Sequence, residues 1–210
     1  MTLRFRSLWI PALLASVLAA PAVAPAGVIV NIDARYYGYE GSQNIPAVGE
    51  AVTPISNAPD GLNKALNLTA GTYKVTNAFG QATALYNAFR FNESTGESWV
   101  WNFLITNATD GDKAVLFGEG SGLGATAEDV AAQSAVEDYV AYFTLATNSV
   151  LNFVIRDSYL ADNAGGVSLL IQEVAPLGNT AVPEPTGLVL LGAGSLLSAT
   201  LIFRRRRLAS

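Results

Sequence analysis

Apolar and polar residues alternate with a spacing of two through the middle of the chain and merge into unbroken apolar runs only near its two ends. Val28, Val30 and Ile32 alternate in residues 27–35. Leu66 and Leu68 flank Asn67, and Ala70-Gly71 then leads into Thr72-Tyr73-Lys74-Val75. A period of two turns one side of an extended chain toward a core. The pair of runs around Ala70-Gly71 therefore predicts a hairpin. Further strands are predicted over 85–91, 98–105, 113–117, 139–145, 150–156 and 167–174. The breaks between them carry Asn-Glu-Ser-Thr-Gly, Thr-Asp-Gly-Asp and Asn-Ala-Gly-Gly, residue types that tolerate tight turns. So many short strands with turn signals predict an all-β domain, an antiparallel β-sandwich.

One stretch departs from the alternation. Thr126-Ala127-Glu128-Asp129 and the alanine-rich run to Val136 predict a short helix with Thr126 as its N-cap. Glu128, Asp129, Glu137 and Asp138 bracket it. Paired carboxylates can serve acid–base chemistry, but four acids at the ends of an exposed helix make a solvated face. The aromatics Trp99, Trp101, Phe103, Tyr139, Tyr142 and Phe143 sit at strand spacing, which predicts core and cross-strand pairs rather than a sugar platform. Tyr36, Tyr37 and Tyr39, next to Gly38, are expected to be the exposed aromatic set.

The two ends have a different character. Residues 1–26 place Arg4 and Arg6 before an apolar stretch and close with Ala24-Pro25-Ala26. A positive start, an apolar centre and a small-x-small ending mark a signal peptide cut before Gly27, with Ala22-Val23-Ala24 as a second possible cut. At the other end, 187–203 is 17 residues without a charge, long enough to cross a bilayer core as a transmembrane helix. Arg204, Arg205, Arg206 and Arg207 follow it and would stay on the cytoplasmic side. The organisation expected is a signal peptide (1–26), a β-sandwich domain (27–175), a linker (176–186), a transmembrane helix (187–203) and a basic cytoplasmic tail (204–210).

Charge and composition narrow the chemistry. The chain has 210 residues, 12 basic and 17 acidic. Within 27–175 six basic residues face sixteen acidic ones, a net charge of −10. So acidic a domain repels phosphate backbones, which argues against a nucleic-acid partner. There is no cysteine and no histidine. That excludes disulfides, thiolate metal sites and the histidine-dependent nucleophile triads. Nothing in the spacing of the acids marks an enzyme. A metal would have to be a hard cation with oxygen ligands. Thr109-Asp110-Gly111-Asp112 lacks EF-hand spacing and predicts a hairpin turn instead.

The apolar run near the C-terminus by itself supports only a single-pass anchor. Val182, Pro183, Glu184 and Pro185 stand before it, and the arginine cluster stands after it. As a combination, this resembles the PEP-CTERM sorting domain. The resemblance implies recognition by an exosortase and a Gram-negative host that makes extracellular polysaccharide. It also implies an exported, inner-membrane-anchored precursor that reaches the cell surface or the medium after cutting. The prolines keep the motif extended at the membrane surface, where a processing enzyme can read it.

The middle carries a second resemblance. Leu68-Thr69-Ala70-Gly71-Thr72-Tyr73, the Trp99-Val100-Trp101 centre and Asp162-Asn163-Ala164-Gly165-Gly166-Val167-Ser168-Leu169 look like the globular part of many such proteins. The last segment is also similar to calcium-dependent, galactose-binding lectins of the PA-IL type. The resemblance implies a jelly-roll, galactose-binding-like sandwich. It also implies that Asp157, Asp162 and Asn163 lend side-chain oxygens to calcium, which in turn holds a carbohydrate. The alternative is that Asp162-Asn163 only shapes the turn before Gly165-Gly166.

Overall fold

A computed structural model of the protein describes residues 27–174, with Glu97 excepted. The signal peptide, the Val182–Pro185 motif, the transmembrane helix and the basic tail expected from the sequence lie outside the described residues. Among the described residues, no helix is long and apolar enough to cross a membrane.

The alternating runs form antiparallel strands: β1 (Val28–Asp33), β2 (Tyr37–Tyr39), β3 (Pro54–Ser56), β4 (Ala65–Leu68), β5 (Gly71–Asn77), β6 (Phe89–Arg90), β7 (Asn102–Asn107), β8 (Lys113–Glu119), β9 (Val140–Leu145), β10 (Ser149–Val154) and β11 (Ala164–Val174). One sheet has the order β1-β11-β5-β9, with β6 added to the start of β11. The second has the order β4-β10-β7-β8, and β2 and β3 make a separate ribbon. The domain is all-β, as its alternation predicted.

The inner faces meet in one core. Val30, Ile32, Val75, Val167 and Leu169 from the first sheet pack with Phe103, Ile105, Leu151 and Phe153 from the second. Leu104 and Val154 point the other way, yet they are also buried, under Tyr39 and Ala114 with Val52 and Phe117 beside them. The 37–56 segment thus adds a third layer over the second sheet. This explains why β7 is buried along nearly its whole length.

The predicted hairpin at Ala70-Gly71 does not form. Leu68 pairs with Ser149 in one sheet, whereas Gly71 pairs with Leu145 in the other. The chain passes between sheets there, and the link from β9 to β10 passes beside it. Asn148 Oδ1 accepts from Ala70 N–H at 2.9 Å and ties the two crossings together. Tyr73 O–H donates back to the Thr69 carbonyl at 2.9 Å and fixes the corner. A spacing of two reports which side faces the core, and it is the same for strands that pair and strands that face each other.

The helix divides into α1 (Ala127–Ala131) and α2 (Ser134–Glu137). Thr126 caps α1 through Asp129 N–H, and the Asp129 carboxylate accepts from Thr126 N–H in return. Asp129 therefore serves the cap. Val130 and Val136 enter the core near Trp101, which lies 5.0 Å from Tyr139 between ring centroids. The predicted strand over 85–91 shortens to Phe89–Arg90. The turn at 108–112 forms as expected, with Gly111 and Asp112 both left-handed.

Candidate functional site

The loop from β10 to β11 (155–163) carries all three oxygen-bearing residues singled out by the sequence. It packs against the turn that links β1 to β2. Gly38 lets the two come together: a Cβ there would lie 2.1 Å from the Asp157 carbonyl oxygen. Tyr39 N–H donates to that same carbonyl at 2.9 Å. Close approach turns Tyr39 inward to 2% exposure, and Tyr36 and Tyr37 are half-buried, so the expectation of an exposed tyrosine set fails. Burial raises the pKa of its phenol above the ordinary value.

Asp157 opens the loop. Its Oδ1 accepts from Ser158 N–H at 2.7 Å and Tyr159 N–H at 3.0 Å, a local turn closed by the side chain. Asp162 and Asn163 lie further along and face other partners. Asp162 Oδ2 accepts from Asn92 Nδ2 at 2.9 Å, and its carbonyl accepts from Glu93 N–H at 2.7 Å. Asn163 is fully buried. Its Nδ2 donates to the Ala34 carbonyl at 2.9 Å, and its own carbonyl accepts from Arg35 Nε at 2.7 Å. Arg35 also forms an ion pair with Glu93.

Two acceptors in this cluster are left over. Asp162 Oδ1 and Asn163 Oδ1 are buried and have no hydrogen-bond partner. Arg90 Nε, on the strand that pairs with Ala164, is likewise buried without one, and its guanidinium lies 4.8 Å over the Trp99 ring. Buried polar atoms are paired in nearly all folded proteins, and an ordered water is the usual partner of such an atom. A carboxylate and an amide oxygen suit a hard cation. The set is short, however. Asp157 shares no hydrogen-bond partner with Asp162 or Asn163, and among the described residues no three acids gather to hold a metal ion. Asp162 and Asn163 are neighbours in sequence whose side chains turn to different partners, Asn92 and the Ala34 carbonyl, and Asp157 lies nearer the start of the loop.

Asp157 instead borders an open cleft of about 540 Å³. Arg156 is fixed in it by four contacts. Its N–H donates to Asn102 Oδ1 at 2.8 Å, Nε to the Ser42 carbonyl at 3.0 Å, Nη2 to the Gln43 carbonyl at 3.3 Å, and Nη1 pairs with Glu119 at 3.3 Å. Sequence reasoning did not find Arg35, Asn92, Glu93 or Arg156. Arg35, Asn92 and Glu93 join the loop from distant parts of the chain, Arg156 lies within it but bonds distant residues, and no local pattern marks them. No family model, curated protein or solved structure matches this chain.

Proposed function

We propose that the protein is an exported, non-enzymatic surface or matrix protein, sorted by an exosortase and associated with extracellular polysaccharide. The observation that carries this reading is the arrangement of Val182, Pro183, Glu184 and Pro185, an uncharged run of 17 residues, and Arg204, Arg205, Arg206 and Arg207. The signal peptide delivers the chain to the export machinery. The apolar helix holds the precursor in the inner membrane, and cutting near the motif releases an acidic domain to the outside. That domain has no histidine and no cysteine for a nucleophile triad. Mass spectrometry of the C-terminus of protein from the cell surface and the medium tests the reading. Cutting close to Pro185 is expected; mature protein that retains Phe203 and the arginines overturns it.

A second reading is a calcium-dependent carbohydrate-binding module. It is favoured by the two buried, unpartnered oxygens of Asp162 and Asn163 in the loop that resembles the lectins. Calcium there would neutralise Asp162 and occupy both orphans. Binding to neutral polysaccharide in millimolar calcium, lost on chelation, is the expected result. Equal binding with and without chelator removes this reading and leaves the first intact.

A further inference from the structure

Among the described residues the two sheets present four edges, and three of them are guarded. At β1, the strand ends in the charged Asp33, and the 83–86 segment bonds the side chains of Asn31 and Asp33 on the outer face of the sheet. At β8, the 49–51 segment bonds both sides of Ala114, at 2.8 and 2.7 Å, and covers the first half of the strand. The β4 edge is four residues long and begins beside Lys64. Short, covered or charged edges are the usual protections against strand addition.

The β9 edge has none of them. Its six residues contain no charge and no proline, and they pair with β5 in continuous register without a bulge. No backbone hydrogen bond from the described loops reaches its outer side. Val140 is 47% exposed and Tyr142 58%. The edge strand of the facing sheet does not close over it, because an open cleft of about 700 Å³ separates residues 113–116 of β8 from residues 142–145 of β9.

We infer that β9 is a self-association edge, at which a second copy of this chain pairs antiparallel and extends the first sheet across a two-fold axis. Charge selects this partner. Two domains of net charge −10 repel over most of their surfaces, but β9 is neutral. Across the register its outward neighbours on β5 are Thr72, Lys74 and Thr76, so no acid faces acid there. Geometry sets the register. A two-fold axis perpendicular to the sheet keeps outward residues outward, so residues of equal parity oppose one another. Centring on Tyr142 places it opposite its own copy and Val140 opposite Thr144, which covers the exposed apolar positions. The pairing is isologous and stops at two copies, because each copy uses its β9 edge in it. A ladder of this length falls below a standard interface, so the dimer dissociates at micromolar concentrations. This inference does not depend on the sorting signal or on calcium.

The absence of cysteine allows a direct test on the full-length chain in mild detergent. Tyr142→Cys is compared under mild oxidation with Ser94→Cys, at an exposed turn remote from β9. Disulfide-linked dimers are expected to form at least about tenfold faster at Tyr142, the factor by which a held pair should exceed chance collision. Sedimentation at about 100 µM, above the Kd of a weak interface, should show dimer for the parent chain and monomer for Tyr142→Lys. Equal cross-linking at the two sites, or the same mass for parent and Tyr142→Lys, overturns the inference. So does a monomer whose β9 amides are protected from hydrogen exchange, because another part of the same chain would then cover the edge.

Discussion

The Tyr86 hydroxyl donates to Asp33 Oδ2 at 2.6 Å, joining the 83–86 segment to the last residue of β1. Nearby, Ser168 Oγ donates to Asn31 Oδ1 at 2.6 Å and accepts from Tyr86 N–H at 2.9 Å. A local cover for the outer face of the first sheet is thus built on side chains from three parts of the fold. A hydrogen bond to a charged group contributes about 1.5–3 kcal/mol, so Tyr86→Phe is expected to destabilise by about that much. Denaturant unfolding with an unchanged m-value checks it; a loss below about 0.5 kcal/mol would mean the bond is not formed in solution.

Tyr139 links the fold to alkaline pH. Burial pushes its phenol up to about 12 from the ordinary 10.0, and Tyr86 is raised in the same direction by burial and by Asp33. A raised phenol pKa means that the unfolded chain releases its proton first. The stability tied to it is complete below pH 10 and declines as pH rises from there through the folded value. Tyr139→Phe removes the titration, and the hydroxyl has no hydrogen-bond partner among the described residues. Thermal melts should show the parent losing more than the variant between pH 9 and 11, by an amount absent at pH 8.

Glycine at 166 is enforced by packing. A Cβ there would lie 2.2 Å from the Ile32 carbonyl oxygen and 2.8 Å from the Tyr86 ring. Gly166→Ala must part β1 from β11 or displace Tyr86, and a loss of about 3 kcal/mol is expected. At Gly41 the space is open and only the left-handed backbone resists, so Gly41→Ala should lose about 1 kcal/mol. Similar losses at the two sites in chemical denaturation would contradict the packing at Gly166.

The Thr126 capping box predicts that Thr126→Ala destabilises by about 1 kcal/mol, while Thr126→Ser keeps most of that. Since α1 carries Val130 into the core, the loss should appear in the global unfolding transition. Fraying confined to the helix in hydrogen exchange would show that α1 is not coupled to the sandwich.

If calcium occupies the oxygens of Asp162 and Asn163, millimolar calcium should raise the parent's melting temperature by several degrees and leave Asp162→Ala unmoved. Asp157→Ala is the informative comparison, because Asp157 closes a separate turn. Retention of the calcium response in Asp157→Ala would confine the site to the pair; its loss would bring the start of the loop into it.

Much of the domain was legible in the chain itself. Alternation at Val28, Val30 and Ile32, at Tyr73 and Val75, and through 139–174 reflects a property of each strand alone, and those strands are present. The Thr126 cap and the 108–112 turn were legible for the same reason, since both depend on neighbours within a few residues. Asp157, Asp162 and Asn163 were singled out by the resemblance of their loop and not by a local pattern. Tertiary structure alone decided which strands pair, sending Leu68 and Gly71 to different sheets although a single turn seemed to join them. It decided that Tyr39 is buried, because Gly38 admits the Asp157 backbone. It also brought Arg35, Asn92 and Glu93 around Asp162 and Asn163 from far along the chain. A spacing of two records burial on one side of a strand and is silent about what lies beyond its edges. Edge pairing and loop contacts are set by long-range packing, so the partly covered β8 edge and the open β9 edge become distinguishable only once the sheets are assembled.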